Sequence, residues 1–164
     1  MSIAQSLLAE FDQEMANTRK VLERVPLEKA DWKPHPKSGS LVWLAGHVAN
    51  LPQWVTITLT TSELDLATGG RAKTPANSKE LLEVFDKNSK EARASIEKAD
   101  DPQWFEPWTL KNGSQTLFKM PRVAVVRGFA LNHLLHHRGQ LTVYLRLNDI
   151  PVPGLYGPSA DEKM

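Results

Sequence analysis

The chain has 164 residues, enough for one domain with its own core, with 41% apolar residues, 24% charged residues and a formal charge of +1. That balance lacks the basic excess of a nucleic-acid-binding surface, and no run of about 20 apolar residues is present to span a membrane. The absence of cysteine excludes disulfides, thiolate nucleophiles and thiolate ligands, so a transition metal would be held by imidazole, carboxylate or backbone. The N-terminus has no charged segment followed by an apolar one, so the expectation is a cytoplasmic protein without a signal peptide.

From Ser2 to Arg24, Ile3, Leu7, Phe11, Met15, Thr18 and Leu22 recur at helical spacing, with charges such as Glu10, Asp12 and Glu14 on the other faces. This predicts an amphipathic helix capped by Ser2 and ended by Pro26. The connector Pro26 to Gly39 carries Trp32 as an anchor to the helices, and Ser38 or Ser40 can cap the next helix. Leu41 to about Ser62 reads as a second helix with Leu44, His47, Val48, Leu51, Trp54, Val55 and Thr58 on one face. Pro52 removes a backbone donor there and is expected to kink the helix rather than end it. Trp43 and Trp54 flank that face and are assigned to core packing first and pocket lining second.

Leu64 to Ala76 reads as a loop. Asn77 and Glu80 form a capping-box-like start to a third helix, in which Leu82, Phe85, Ser89, Ala92 and Ile96 repeat to about Ala99. Asp100 to Pro121 breaks the helical pattern, and Lys111-Asn112-Gly113-Ser114 predicts the turn of a small hairpin or lid. Pro121 suits the first turn of a fourth helix reaching Leu147, and the Pro/Gly-rich tail from Asp149 onward is apolar enough to pack down. Four helical segments without a repeat or a second core predict an all-α protein. It is a single domain over residues 1–164, an antiparallel four-helix bundle with a β-hairpin inserted before the last helix.

Three of the five histidines fall in the fourth helix. His133 and His137, four residues apart, stand one above the other on the same stripe. Such a pair is either a hydrogen-bonded polar notch in the core or part of a metal site. With His133 at zero phase, Ala130, His137, Gln140 and Tyr144 all fall within about 60° of it, which places the pair centrally on the core face. There an unpaired imidazole is costly to desolvate. His47 occupies the middle of the inward face of another helix, and facing helices are how bundles assemble metal sites. His47, His133 and His137 are therefore the candidate ligands, and three neutral imidazoles leave a coordination position open. Gln140 and Tyr144 could hydrogen-bond a metal-bound water or substrate, or are core polar groups satisfied locally; His136, ranked below the three ligands, is an inner-edge residue, a supporting group or an exposed one. His35, between two prolines, reads as a surface residue whose loop could cover the site. Arg138 is read as an anchor for the helix, the tail or a neighbouring subunit.

Taken together, several segments resemble the DinB/YfiT-like family of metalloenzymes. They are Trp32-Lys33-Pro34, Leu41-Val42-Trp43-Leu44-Ala45-Gly46-His47-Val48-Ala49, Asn132-His133-Leu134-Leu135-His136-His137-Arg138-Gly139-Gln140-Leu141, and Tyr144-Leu145-Arg146 followed by Pro151-Val152-Pro153-Gly154-Leu155-Tyr156-Gly157-Pro158-Ser159-Ala160-Asp161. The resemblance implies an up-down-down-up four-helix bundle and a homodimer. It also implies a divalent metal, zinc or nickel, held by three histidines that map onto His47, His133 and His137. Some relatives are S-transferases or isomerases using low-molecular-weight bacterial thiols such as bacillithiol or mycothiol. The expected function is a metal-dependent thiol transferase or hydrolase acting on a small molecule, with no nucleic-acid or membrane partner. The alternatives are a non-catalytic bundle whose metal braces the fold or helps sense a small ligand, and a plain helical bundle with satisfied core histidines.

Overall fold

The structure is a computed structural model that describes residues 2–69 and 74–163; residues 70–73 of the predicted loop and the last residue of the tail lie outside the described residues. The first helix, α1 (Ile3–Leu22), begins with a reciprocal capping box between Ser2 and Gln5. It buries Leu7, Phe11, Met15, Thr18 and Leu22 as its periodicity requires. Glu14 departs from the amphipathic pattern: it is buried as well, because a buried arginine faces it from the fourth helical rod.

The second predicted helix is a broken rod, α2 (Leu41–Asn50) and α3 (Gln53–Thr60). Backbone dihedrals at Leu51 and Pro52 remain helical across the break. Pro52 has no N–H to give Val48, and the Leu51 N–H serves both the His47 and Val48 carbonyls, at 3.1 and 3.3 Å. The proline thus kinks the rod without ending it. Ser40 supplies the N-cap, accepting from the Trp43 N–H.

The third long helix, α4 (Ser78–Lys98), is capped by Asn77. Its buried face is Leu81, Phe85, Asn88, Ala92 and Ile96, one step from the Leu82 and Ser89 positions expected from sequence. Two elements are absent from the sequence reading. Glu63–Asp65 is a short strand, β1, inside the stretch read as ending a helix and opening a loop, and Asp101–Phe105 is a one-turn helix, α5, capped by Asp100. The hairpin β2 (Pro107–Asn112) and β3 (Gln115–Pro121) turns at Gly113, whose φ of 60° leads a two-residue loop that only a glycine opens without strain. β1 pairs in parallel with β2, so the insertion is a three-stranded sheet of order β1-β2-β3 and not a hairpin alone. The Asp65 carboxylate accepts from the Gly113 and Ala67 N–H groups, and these bonds hold its pKa below the ordinary value.

The fourth rod runs without a gap through α6 (Arg122–Val125), a π-helical segment Val126–Asn132 and α7 (His133–Leu147). The sequence predicts one uniform helix here; the π segment is the difference. The rod stops at a Schellman motif: the Ile150 N–H bonds Leu145 O, the Asp149 N–H bonds Arg146 O, and Asp149 takes a left-handed φ of 59°. Helix α1 packs on α4 and α7, α2 packs on α4 and α7, and α3 packs on α4 and the π segment. Phe11, Leu22, Leu44, Phe85, Ile96, Leu131, Leu134 and Leu141 meet in the main core. A second apolar cluster of Trp108, Leu110 and Val125, with Trp54, Phe118 and Phe129 against it, seats the sheet on α3 and the π segment. The buried Arg122 donates to the Thr58 and Thr61 carbonyls at the end of α3, which an interrupted helix would otherwise leave unmet.

Arg138, 2% exposed, ties the tail to the bundle. Its guanidinium pairs with Glu14 at 2.6 Å, donates to Glu14 O and Thr18 Oγ1 at 3.1 Å each, and bonds the Tyr156 hydroxyl, which itself donates to Glu14. The tail is irregular and packed down, as expected, with Ile150, Val152 and Leu155 against the core. Removing one partner from a buried, hydrogen-bonded ion pair costs about 3–5 kcal/mol, more than replacing both with apolar side chains. Arg138→Met is therefore expected to lower the urea unfolding free energy by about that amount, and Glu14→Leu/Arg138→Met together by less. Equal losses in the single and double variants would contradict a coupled pair.

Candidate metal centre

The kinked rod and α7 bring three imidazoles together. His47 comes from α2, one turn before the Pro52 break, and His133 and His137 from the first two turns of α7. All three are half-buried, and one nitrogen of each lies within 4.8 Å of the others. The His47 and His133 Nε2 atoms are 3.2 Å apart. Two nitrogens bound at about 2.0–2.1 Å to one tetrahedral ion stand about 3.3–3.4 Å apart, so this pair already has the spacing of adjacent ligands. The His137 ring centroid lies 4.6 Å from those of both His47 and His133.

Neighbouring groups bear on each ring. Gln140 Oε1 is 2.7 Å from His137 Nδ1; the amide oxygen accepts the Nδ1 proton and leaves Nε2 with its lone pair, the tautomer a metal ligand requires. At His133 the Phe129 backbone favours the protonated ring and partly opposes the effect of burial. The His133 backbone N–H goes to Ala130 O, at the end of the π segment. His133 thus opens α7 directly after the π segment, and such segments are often found at functional sites. His47 is stacked on Trp43, with centroids 5.3 Å apart and planes 8° from parallel.

Burial, then the neighbouring His137 and His133 rings, pushes the His47 pKa from 6.5 down to about 4. His133 is lowered by burial first and by His137 second. Both shifts favour the neutral, metal-binding form. No carboxylate belongs to the group of potential ligand atoms among the described residues. Three neutral imidazoles from two rods fit a divalent ion with a position left over, and the donor set suits zinc, nickel, copper and iron alike.

The other candidate residues stand around this cluster. His136 is exposed and edge-on to His137 at 4.9 Å, outside the three-nitrogen group. His35 is an exposed loop residue whose Nδ1 accepts from the Lys37 N–H. The Tyr144 hydroxyl donates to Gly39 O at 3.2 Å, and its ring meets Trp32 edge-on at 5.5 Å, so it holds the Trp32 loop against α7. Trp43, assigned first to the core by sequence, is 54% exposed and lines an open groove of about 420 Å³ together with Pro34, Gly39, His137, Gln140 and Tyr144. The signal for it in the sequence is its position four residues before His47, on the same side of α2.

Known proteins resemble this chain in sequence and in its mainly helical fold. The DinB superfamily model matches residues 10–141. The chain belongs to the DinB superfamily. Its fold is similar to the crystal structure of a DinB-like protein from Bacillus cereus ATCC 10987, with a TM-score of 0.72, 23% identity, and coverage of 94% of this chain and 98% of that one. A DinB-like protein from Bacillus subtilis is similar over 92% of this chain and 97% of that one, with a TM-score of 0.70 and 18% identity. The chain is also 50% identical over 34 residues to the uncharacterized protein YrdA of Bacillus subtilis strain 168, a match spanning 21% of this chain and 20% of that protein.

The His47 shift fixes the sign of a pH effect. Unfolded His47 takes up a proton near 6.5, whereas the folded residue stays neutral to about 4. Below 6.5 the unfolded chain therefore binds more protons, so this residue's contribution is complete above 6.5 and is lost as pH falls toward 4. The metal-free protein should lose urea resistance over that interval, and His47→Gln should flatten the loss. An unchanged pH profile in the variant would remove His47 as its source.

Proposed function

We propose that this protein is a divalent-metal-dependent enzyme whose ion, zinc or nickel, is held by His47, His133 and His137 with a coordination position open to a small-molecule substrate. The observation that carries the reading is the meeting of three imidazole nitrogens from two rods, with His137 held by Gln140 in an orientation that leaves its Nε2 free. A divalent ion so held acts as a Lewis acid and lowers the pKa of a water or thiol bound to it toward neutrality. The reaction class is accordingly transfer to or from a low-molecular-weight thiol, or hydrolysis. In this reading the residues divide the work simply: three histidines bind, Gln140 fixes the His137 tautomer, Trp43 holds His47, and the groove beside them receives the substrate.

The reading extends to the whole chain as one cytoplasmic domain, an antiparallel up-down-down-up four-helix bundle that works as a homodimer without nucleic-acid or membrane partners. Among the described residues, no helix is long and apolar enough to cross a membrane. A second reading, a non-catalytic bundle braced by its metal or sensing a small ligand, is favoured by one fact: His47 and the other two histidines lie on different rods, so an ion would cross-link them. Chelation separates the two. A brace predicts a large fall in melting temperature and no exchangeable ligand, whereas an enzyme keeps a solvent-accessible position and turns over members of a thiol-conjugation or hydrolysis panel.

Protein purified without a histidine tag is expected to carry one divalent ion per chain, and His137→Ala to lose it together with any turnover. Gln140→Ala should retain the site but weaken metal affinity about 10- to 100-fold, the usual effect of removing a ligand's hydrogen-bond partner. Full metal binding and turnover in His137→Ala would end the enzymatic reading.

A further inference from the structure

The acidic residues of this chain are segregated. Residues 32–62 and 107–148 contain no Asp or Glu; all 19 acidic residues lie elsewhere. Those two stretches carry His47, His133 and His137 and also every residue that lines the adjoining groove. Lys33 and Lys37, both exposed, flank the groove residues Pro34 and Ser38. Three neutral imidazoles bring no negative charge, so a divalent ion among them keeps its full charge, and neutralisation is left to whatever enters the groove.

The groove walls are built for a flat apolar body. Trp43 is largely exposed yet held in place, stacked on His47 and lying over Gly39, where an added Cβ would stand 2.3 Å from its ring. Val143, also on the groove, is 55% exposed. A rigid exposed aromatic offers contact area at little cost in side-chain freedom. With its oxygen committed to His137, the Gln140 amide has only its NH₂ donors to offer, and Ser38 adds a hydroxyl. The volume of about 420 Å³ is that of a small-molecule site.

We propose that this groove binds a small organic anion with a flat apolar body, the anionic end toward the three histidines and the body along Trp43 and Val143. The proposal rests on the metal-site reading and names the class of ligand it would take.

The test is calorimetric titration of the full-length, zinc-loaded protein with 1-naphthoate and with its neutral counterpart 1-naphthamide. Zinc content and sedimentation are measured on every sample. Naphthoate is expected to bind at least about tenfold more tightly than naphthamide, the effect of one well-placed charge. Trp43→Ala should weaken naphthoate by about threefold or more through lost stacking. On the exposed Val143 site, Val143→Lys should tighten it and Val143→Asp weaken it, each by about threefold. Equal affinity for the two naphthalenes, an unaffected Trp43→Ala, or charge variants without opposite effects would overturn the proposal while zinc binding stands. A protein that takes up no zinc would lose both readings. A dimer that Val143→Asp dissociates would assign this surface to a second copy and overturn the proposal.

Discussion

Arg138 is the point on which the placement of the site depends. Its guanidinium is closed in by the Glu14 carboxylate and carbonyl, the Thr18 hydroxyl and Tyr156, joining α1, α7 and the tail in one buried network. Neither charge can leave without stranding the other in a low-dielectric interior. The rotation of α7 about its own axis is therefore restricted, and His137, the next residue back along the chain, is turned toward α2. From α2, which packs on α4 and α7, His47 meets both rings, its own ring stacked on Trp43. The three rings meet where two separately anchored rods pack together, one held by a buried ion pair and the other by its packing on α4 and α7.

The π segment adds a second constraint. It runs directly into α7 and so sets where His133 and His137 stand at the start of that helix. The same stretch presents Phe129 to the aromatic cluster that seats the three-stranded sheet. Sheet and site are thus connected through one irregular turn, and the sheet is part of the scaffold that sets the entry to α7.

Much of this is legible in the sequence, for physical reasons that differ by element. The apolar period and caps of α1 stand out because one face is core and the other solvent. His133 and His137 lie in regular helix beyond the π segment, so phase arithmetic from one to the other, and on to Gln140 and Tyr144, carries no error. The same arithmetic finds His47 on an uninterrupted stretch of α2. Other features are not readable. Glu14 looks like a solvent-facing charge because its partner lies 124 residues away. β1 has three residues, too few for a period, and owes its existence to pairing with β2. The π segment leaves no compositional mark. Trp43 reads as core because a large aromatic beside an apolar stripe usually is; here its ring rests on Gly39 and His47 at the surface.

The proposed metal site rests on three imidazole nitrogens, and X-ray absorption at the metal edge of zinc- or nickel-loaded protein reads them directly. The expected spectrum shows three imidazole ligands, identified by their multiple-scattering pattern, plus oxygen donors from solvent, and loses one imidazole in each of His47→Ala, His133→Ala and His137→Ala. A wild-type spectrum dominated by carboxylate or lacking imidazole scattering, or one unchanged by those substitutions, would contradict a three-histidine centre.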